Sequence, residues 1–335
     1  MMSADKKHAQ EIIKAFNLTE GSRGITIPVD PDTITKEDEE ILLEGSEITR
    51  FRGLAARGNY LGQDRCDVQY ATKEISRGMA KPTRGSMVRL KRLARYLLEV
   101  PEGVLVFNSD EEGLDKIQVY VDSDWAGCKT TRKSTSGGAL AWGGGLLKSW
   151  STTQGSVALS SGEAEFYAAV KGCKEGIGVK ALLADLGVAV KVEVVQDSTA
   201  AKGTATRIGI GKIKHLDTGW LWIQDVVKAG TVILKKIDGR INPADLMTKP
   251  KSAAEAARLS EVLGYRLVVR KRKEEGETYT GFVRRLMRGD RRTQEEQWET
   301  MEWWMKGGSD GGARGRSTGA LRDIEHLSVA YVCCV

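Results

Sequence analysis

The spacing of apolar and polar residues changes period several times along this 335-residue chain, and each change predicts an element. His8 to Phe16 reads as a helix. So does Met87 to Val100, where Leu90, Leu93, Ala94 and Leu97 recur at i, i+3, i+4 and i+7 and form one apolar stripe. Arg89, Lys91, Arg92 and Arg95 fill the rest of that helix, so one side packs while the other meets anions or water. After a turn-like stretch at 108–113, Ile117, Val119 and Val121 alternate with Gln118, Tyr120 and Asp122, the pattern of a strand ending in acid. Gly137 to Trp142 and Leu146 to Ser151 predict two more strands, and their tight glycine connection at 143–145 favours an antiparallel meander. Helical composition runs from Gly162 to Leu186 with Gly187 as C-cap, and the short apolar strand Val192 to Gln196 then leads into Asp197. A helix over Ile213 to Val227, a strand over Thr231 to Ile237 and a helix opening near Pro243 complete the series. The order βββαβαβα predicts an α/β fold with a mixed five-stranded sheet flanked by helices, preceded by a mainly helical region.

Beyond Leu267 the periodicity gives way to charge runs, to Trp298, Trp303 and Trp304, and to the glycine-rich stretch 307–315. The expected organisation is a helical segment at 1–110, the sheet domain at 115–252, and a partly ordered basic, Trp- and Gly-rich tail at 253–335.

An apolar fraction of 41% and a charged fraction of 29% suit a globular protein and exclude disorder throughout. The net charge of +6 suggests nucleic acid until it is located. Arg266 to Arg292 holds ten Lys or Arg against four Asp or Glu, a surplus equal to that of the whole chain, so the body is balanced. No run of about 18 apolar residues occurs and the N-terminus lacks a signal-peptide core, so an intracellular protein, cytoplasmic or nuclear, with no membrane contact is expected. Cys66, Cys128, Cys173, Cys333 and Cys334 form no CxxC pair and read as free thiols.

Asp122 and Asp197 each close a predicted strand, which places them side by side if those strands are neighbours. Glu165 lies in the intervening helix, and its helical neighbours Ala168, Ala169 and Gly172 are small enough to let that face approach the sheet. Asp245 falls in the first turn of the last predicted helix, where the dipole favours a carboxylate. Converging carboxylates are costly to desolvate unless a hard divalent cation neutralises them, and oxygen ligands suit magnesium or manganese. A pair of such ions supports hydrolysis of a phosphodiester. Spacing alone is weak support, because 45 Asp and Glu offer many four-acid subsets. Glu163 rivals Glu165 from the opposite side of the helix, and periodicity does not choose between them.

The string Val121-Asp-Ser-Asp-Trp-Ala-Gly127, followed by Thr131-Arg-Lys-Ser-Thr-Ser-Gly137, resembles the opening of the ribonuclease H (RNase H) domain in Ty1/copia-type retrotransposon polyproteins. The resemblance continues in order through Lys148-Ser-Trp-Ser151, Val157-Ala-Leu-Ser-Ser161, Glu163-Ala-Glu-Phe166, Lys214-His-Leu-Asp217 and Asn242-Pro-Ala-Asp-Leu-Met-Thr-Lys249. It implies an RNase H-like fold, cleavage of the RNA strand of RNA/DNA hybrids with two Mg2+ ions (Mn2+ as alternative), and the acidic set Asp122, Glu165, Asp197 and Asp245. Glu165 is chosen because the family's Glu precedes an aromatic residue and then x-Ala. Residues 1–110 resemble more loosely the end of the same polyprotein's reverse transcriptase, through Phe51-Arg52, Asp67, Pro82-Thr83 and Leu90-Lys-Arg-Leu-Ala-Arg-Tyr-Leu97.

That second resemblance marks Arg92 and Arg95 as nucleic-acid-facing and suggests a separately encoded reverse transcriptase as partner. No Tyr-x-Asp-Asp motif occurs, so the chain reads as the C-terminal part of such a polyprotein and is not expected to polymerise DNA. Ser160, Ser161 and Lys214 stand where minor-groove hydroxyls and phosphates would be met, with helix capping as the alternative role for the serines. Trp125 and Trp150 read as core. Three departures favour an alternative, a degenerate or domesticated copy that binds without cutting. Gly172, Gly176 and Gly178 interrupt the helix bearing Glu165, each costing about 1 kcal/mol relative to alanine. Gln196-Asp197-Ser198 replaces Cys-Asp-Asn, and no histidine lies between Ile237 and Ala244.

Overall fold

Capping and apolar periodicity set the helices of the first hundred residues. After the two-residue strand β1 (Met2–Ser3), the Asp5 carboxylate accepts the Lys7 N–H and starts helix α1 (Lys6–Ala15). Short α2 (Lys36–Glu40), long α3 (Ser46–Asp64) and α4 (Gln69–Ser76) follow. In α5 (Arg84–Glu99), Thr83 and Ser86 cap each other's backbone, and the predicted stripe of Leu90, Leu93, Ala94 and Leu97 is fully buried against Ile12 and Phe51. The computed structural model describes residues 1–107, 113–211, 215 and 218–270, all within one compact unit, Met1–Lys273. Lys214, the tryptophans at 298, 303 and 304, and Cys333 and Cys334 lie outside the described residues. Among the described residues Cys66, Cys128 and Cys173 are free thiols, and no helix is long and apolar enough to cross a membrane.

Strand β2 (Glu102–Leu105) leads to the expected meander of β3 (Lys116–Asp124), β4 (Thr135–Trp142) and β5 (Gly145–Thr153). Helix α6 (Ser161–Asp185) crosses over to β6 (Lys191–Gln196). Next come α7 (Thr199–Thr206), α8 (Trp222–Lys228) and β7 (Val232–Lys236). The spatial order is β5-β4-β3-β6-β7, antiparallel from β5 to β3 and parallel from β3 to β7. This is the expected RNase H-like sheet.

Three predicted elements are corrected. Of the helix expected over 213–227, the described part from Thr218 is a 3-10 turn, Thr218–Leu221, running into α8, and left-handed glycines at 209 and 211 follow α7. The helix at Pro243 is a five-residue 3-10 turn, Pro243–Met247, capped by Asn242 Oδ1, which accepts the Ala244 N–H. The expected 253–335 tail begins with helix α9 (Ala253–Glu261) and strand β8 (Tyr265–Val268), and β8 joins β1 and β2 in a second, three-stranded sheet.

Helix α6 packs on one face of the large sheet, with Phe166, Ala169 and Val170 buried against Val119, Val121 and Val194. Its glycines are packing devices. A Cβ at Gly172 would lie 2.5 Å from the Val121 side chain, and one at Gly176 would lie 2.6 Å from Val192, so only glycine lets the helix approach this closely. Gly178 meets nothing within 4 Å, and no contact explains it. The other face is covered by Cys66, Met247, Leu259, Leu263 and Tyr265, drawn from both sides of the sheet in sequence. Helix α4 ties onto this sheet through Gln69 Nε2 donating to the Ser149 carbonyl at 3.2 Å and Lys73 Nζ donating to Thr135 Oγ1 at 2.7 Å. At the junction sits a buried ion pair. Arg65 donates twice to Asp67 (2.9 and 2.7 Å), whose carboxylate also accepts the Tyr96 and Tyr265 hydroxyls (2.7 and 3.2 Å).

Candidate metal centre

The two central parallel strands deliver two acids to one place. Tyr120 pairs in register with Val195, and extending that register two residues sets Asp122 beside Asp197, just past the end of β6. Helix α6 brings Glu165 to the same end from its face of the sheet, and the Ser123 backbone N–H donates to Glu165 Oε1 at 3.2 Å. Asp122, Glu165 and Asp197 each offer a carboxylate oxygen, and these oxygens lie within 4.8 Å of one another. Asp122 and Glu165 are buried and Asp197 is half-buried. Glu165 Oε2 is buried with no hydrogen-bond partner, an unsatisfied polar atom on a member of the acidic cluster.

Asp245 arrives from the opposite face. Gly137 stands opposite Asp122 in β4, and a Cβ there would lie 2.6 Å from Thr248 and 2.8 Å from Met247, so its absence lets the 3-10 turn carrying Asp245 settle on the sheet. The Asn242 amide fixes that turn by donating to the Val121 carbonyl at 2.9 Å. The Asp245 carboxylate stands apart from the set of three, because two lysines hold it: Lys249 Nζ at 2.8 Å and Lys251 Nζ at 2.6 Å. Lys249 also reaches Asp122 Oδ2 at 3.7 Å, and the Thr248 hydroxyl donates to that same oxygen.

The electrostatics match the geometry. Burial pushes Glu165 up to about 9, with Asp122 and Asp197 adding to the effect, and pushes Asp122 up to about 6, with Lys249 opposing and Asp245 reinforcing. Burial and Asp245 raise Asp197 as well. These three carboxylates lack enough positive charge, and a hard divalent cation would supply it through oxygen ligands. The donor set and the unpartnered Glu165 oxygen fit such an ion.

The rival Glu163 belongs elsewhere. Its carboxylate accepts the Leu159 N–H (3.0 Å) and the Tyr167 hydroxyl (2.7 Å) and pairs with His215 Nε2 (3.0 Å). Burial works to raise its pKa, but the His215 and Tyr167 bonds outweigh it and hold the group below its ordinary range. Ser160 caps α6 by accepting the Glu163 N–H at 3.2 Å, while Ser161 is exposed beside it. Arg92 is engaged with Asp30 (3.3 Å) and Thr33 (3.0 Å), and Arg95 donates to the Arg23 carbonyl, so both expected phosphate contacts point into the protein's own 23–33 segment. Trp150 is core as expected, but Trp125 is exposed.

Sequence reasoning missed Lys249, Lys251 and Gln154. The i, i+4 spacing of Asp245 and Lys249 was a usable signal. Gln154 carried none, yet its buried Nε2 lies 2.9 Å from both Ser136 Oγ and the Ala164 carbonyl, bracing residues next to the metal-facing acids.

No protein-family model matches the chain. It is 32% identical over 187 residues to the retrovirus-related Pol polyprotein from transposon TNT 1-94 of Nicotiana tabacum, covering 55% of this chain and 14% of that protein. It is 28% identical over 220 residues to the retrovirus-related Pol polyprotein from transposon RE1 of Arabidopsis thaliana, covering 64% of this chain and 15% of that protein. The chain thus spans only about one seventh of these relatives. Among solved structures, the N-terminal RNase H domain of a Mycobacterium tuberculosis protein overlaps 40% of this chain and 90% of its own, at 17% identity and a TM-score of 0.30. The fold rests on the strand order above rather than on that overlap.

Proposed function

We propose that the chain derives from a copia-type Pol polyprotein, the class to which its relatives belong, and that its sheet domain, 115–252, is a ribonuclease H that hydrolyses the RNA strand of RNA/DNA hybrids. The observation that carries the reading is the meeting of Asp122, Glu165 and Asp197 at the ends of the central strands, with one Glu165 oxygen left unpartnered. Two Mg2+ ions, or Mn2+ in their place, would activate water and neutralise the leaving oxygen at phosphorus. Asp122, Glu165 and Asp197 would hold such an ion, and Asp245 would add a further carboxylate toward Asp122.

The protein's own groups prepare that arrangement. The Ser123 N–H holds Glu165 Oε1 and leaves Oε2 without a protein partner, and the Thr248 hydroxyl fixes one oxygen of Asp122. Lys249 and Lys251 keep Asp245 in place by ion pairing. Ser161, exposed at the start of α6, is available to a ribose 2′-hydroxyl in the shallow minor groove of a hybrid. A hybrid arises by DNA synthesis on an RNA template, so a reverse transcriptase, whether or not on the same polypeptide, would supply the substrate. The reading of a non-cutting copy loses much of its motivation at Gly172 and Gly176, whose lack of a side chain is what the packing requires.

The test is incubation of the full chain with a labelled RNA/DNA hybrid and Mg2+, beside Asp122→Asn. Cleavage of the RNA strand by the wild type alone is expected, and equal products from both proteins would overturn the proposal.

A further inference from the structure

Trp125 is 55% exposed, although it opens the loop that directly follows the acid-bearing strand β3. Its setting is rigid. The indole Nε1–H donates to the Ala158 carbonyl at 3.1 Å, tying the loop to the segment that enters α6 and leads to Glu165. Asp124 accepts the Thr135 N–H and its hydroxyl, and the Ala126 N–H donates to Ser134 Oγ at 2.9 Å from a left-handed backbone with φ of 54°. The ring's only hydrogen-bonding group is therefore occupied within the protein, and what faces outward is apolar surface. Val157 and Leu159, exposed by 43% and 65%, flank Ala158 and extend that surface. Residues 125–134 include Lys129, Arg132 and Lys133 and no acid.

An aromatic face held in a purely cationic loop, braced to both elements that supply the buried carboxylates, is suited to a nucleotide whose phosphates meet cations while its sugar and base edge meet the ring. We propose that Trp125 is a substrate-positioning residue, packing against the minor-groove face of the RNA strand next to the metal centre, with Lys129 and Arg132 on the flanking phosphates. The inference rests on the nuclease reading above. A ring fixed before binding loses little freedom on contact, so its contribution is to orient the strand as well as to hold it.

The experiment measures binding of a fluorescently labelled RNA/DNA hybrid to the full chain in Ca2+, followed by steady-state cleavage in Mg2+. It compares the wild type with Trp125→Ala, Trp125→Phe and Trp125→Gln. Loss of the ring is expected to weaken hybrid binding about tenfold or more and to raise KM more than it lowers kcat. Trp125→Phe, which keeps a ring without the donor, should bind near the wild type. Trp125→Gln, which keeps a donor toward Ala158 without a ring, should bind as weakly as Trp125→Ala. The reverse order for Phe and Gln would overturn the inference, since the loop hydrogen bond alone would then account for the effect. So would equal binding by all four proteins, including the outcome in which this surface docks another protein. A wild type that binds no hybrid would overturn the nuclease reading itself, and this inference with it.

Discussion

Replacing Glu165 with glutamine should stabilise the protein when it is stripped of divalent ions. Burial under α6, with Asp122 and Asp197 alongside, lifts the folded-state pKa of Glu165 from its ordinary 4.5 to about 9. A carboxyl raised on folding contributes stability that is complete below the unfolded value and lost as pH climbs toward the folded one. Between pH 4.5 and pH 7 the unfolded chain releases this proton while the folded protein keeps it, which costs about 1.4 kcal/mol per pH unit, or roughly 3 kcal/mol at pH 7. Glutamine has the same shape, can still accept the Ser123 N–H, and has no proton to lose. For a unit of this size the difference corresponds to a gain of roughly 5 to 6 °C in Tm. Thermal melts by circular dichroism in EDTA, from pH 5 to pH 8.5, would show the wild type falling away from Glu165→Gln as pH rises. Adding Mg2+ should then raise the Tm of the wild type well above the small shift of the variant. Parallel pH curves for the two proteins, or equal Mg2+ shifts, would refute the electrostatic account of this site.

Gly172→Ala and Gly176→Ala should each cost about 1 to 3 kcal/mol in urea titrations because their Cβ atoms would press into Val121 and Val192, whereas Gly178→Ala, facing open space, should gain about 1 kcal/mol. A loss at position 178 matching the other two would show that helix bending rather than sheet contact sets the need for glycine. Asp67→Asn leaves the buried Arg65 guanidinium without its counter-charge and should cost about 3 to 5 kcal/mol. A loss below about 1 kcal/mol, of the size expected at a solvated surface pair, would contradict the burial of Arg65. Lys249→Met removes the cation between Asp122 and Asp245, so the ion-free protein should melt lower and gain more from Mg2+ than the wild type. An unchanged Mg2+ response would show that Lys249 does not occupy space an ion needs.

Much of the sheet was legible because its signals are local. Alternation marked β3, glycine turns marked the meander, and the stripe of Leu90, Leu93 and Leu97 marked α5. The acids at the ends of β3 and β6 could be read because a parallel pair aligns its strand ends. What escaped depends on distant partners. Helix α3 has glycines at 58 and 62 on the face that meets Thr72 of α4, which blurs its apolar period, and β8 acquires its identity only by pairing with β2, more than 150 residues earlier by the residue numbers. The Asp245 lysines and the Gln154 brace are contacts between separate elements, and no spacing rule places Trp125 outside the core rather than in it. The glycines of α6 misled in the opposite direction, because helix propensity describes an exposed helix and says nothing of one pressed onto valines.

The covering of the sheet's second face has a consequence for the protein's synthesis. Asp67 accepts a hydrogen bond from Tyr265, 198 residues further along the chain. A ribosome adding about 5 to 20 residues per second needs on the order of 10 to 40 seconds to make that stretch. Throughout that interval the early helices wait with Asp67 short of one donor, and Tyr120, Ala139 and Leu146, once made, have no α9 or β8 to lie under. A nascent chain with that apolar sheet face still open is the form most exposed to aggregation and most dependent on chaperones, and completion of β8 is the event that ends the exposure.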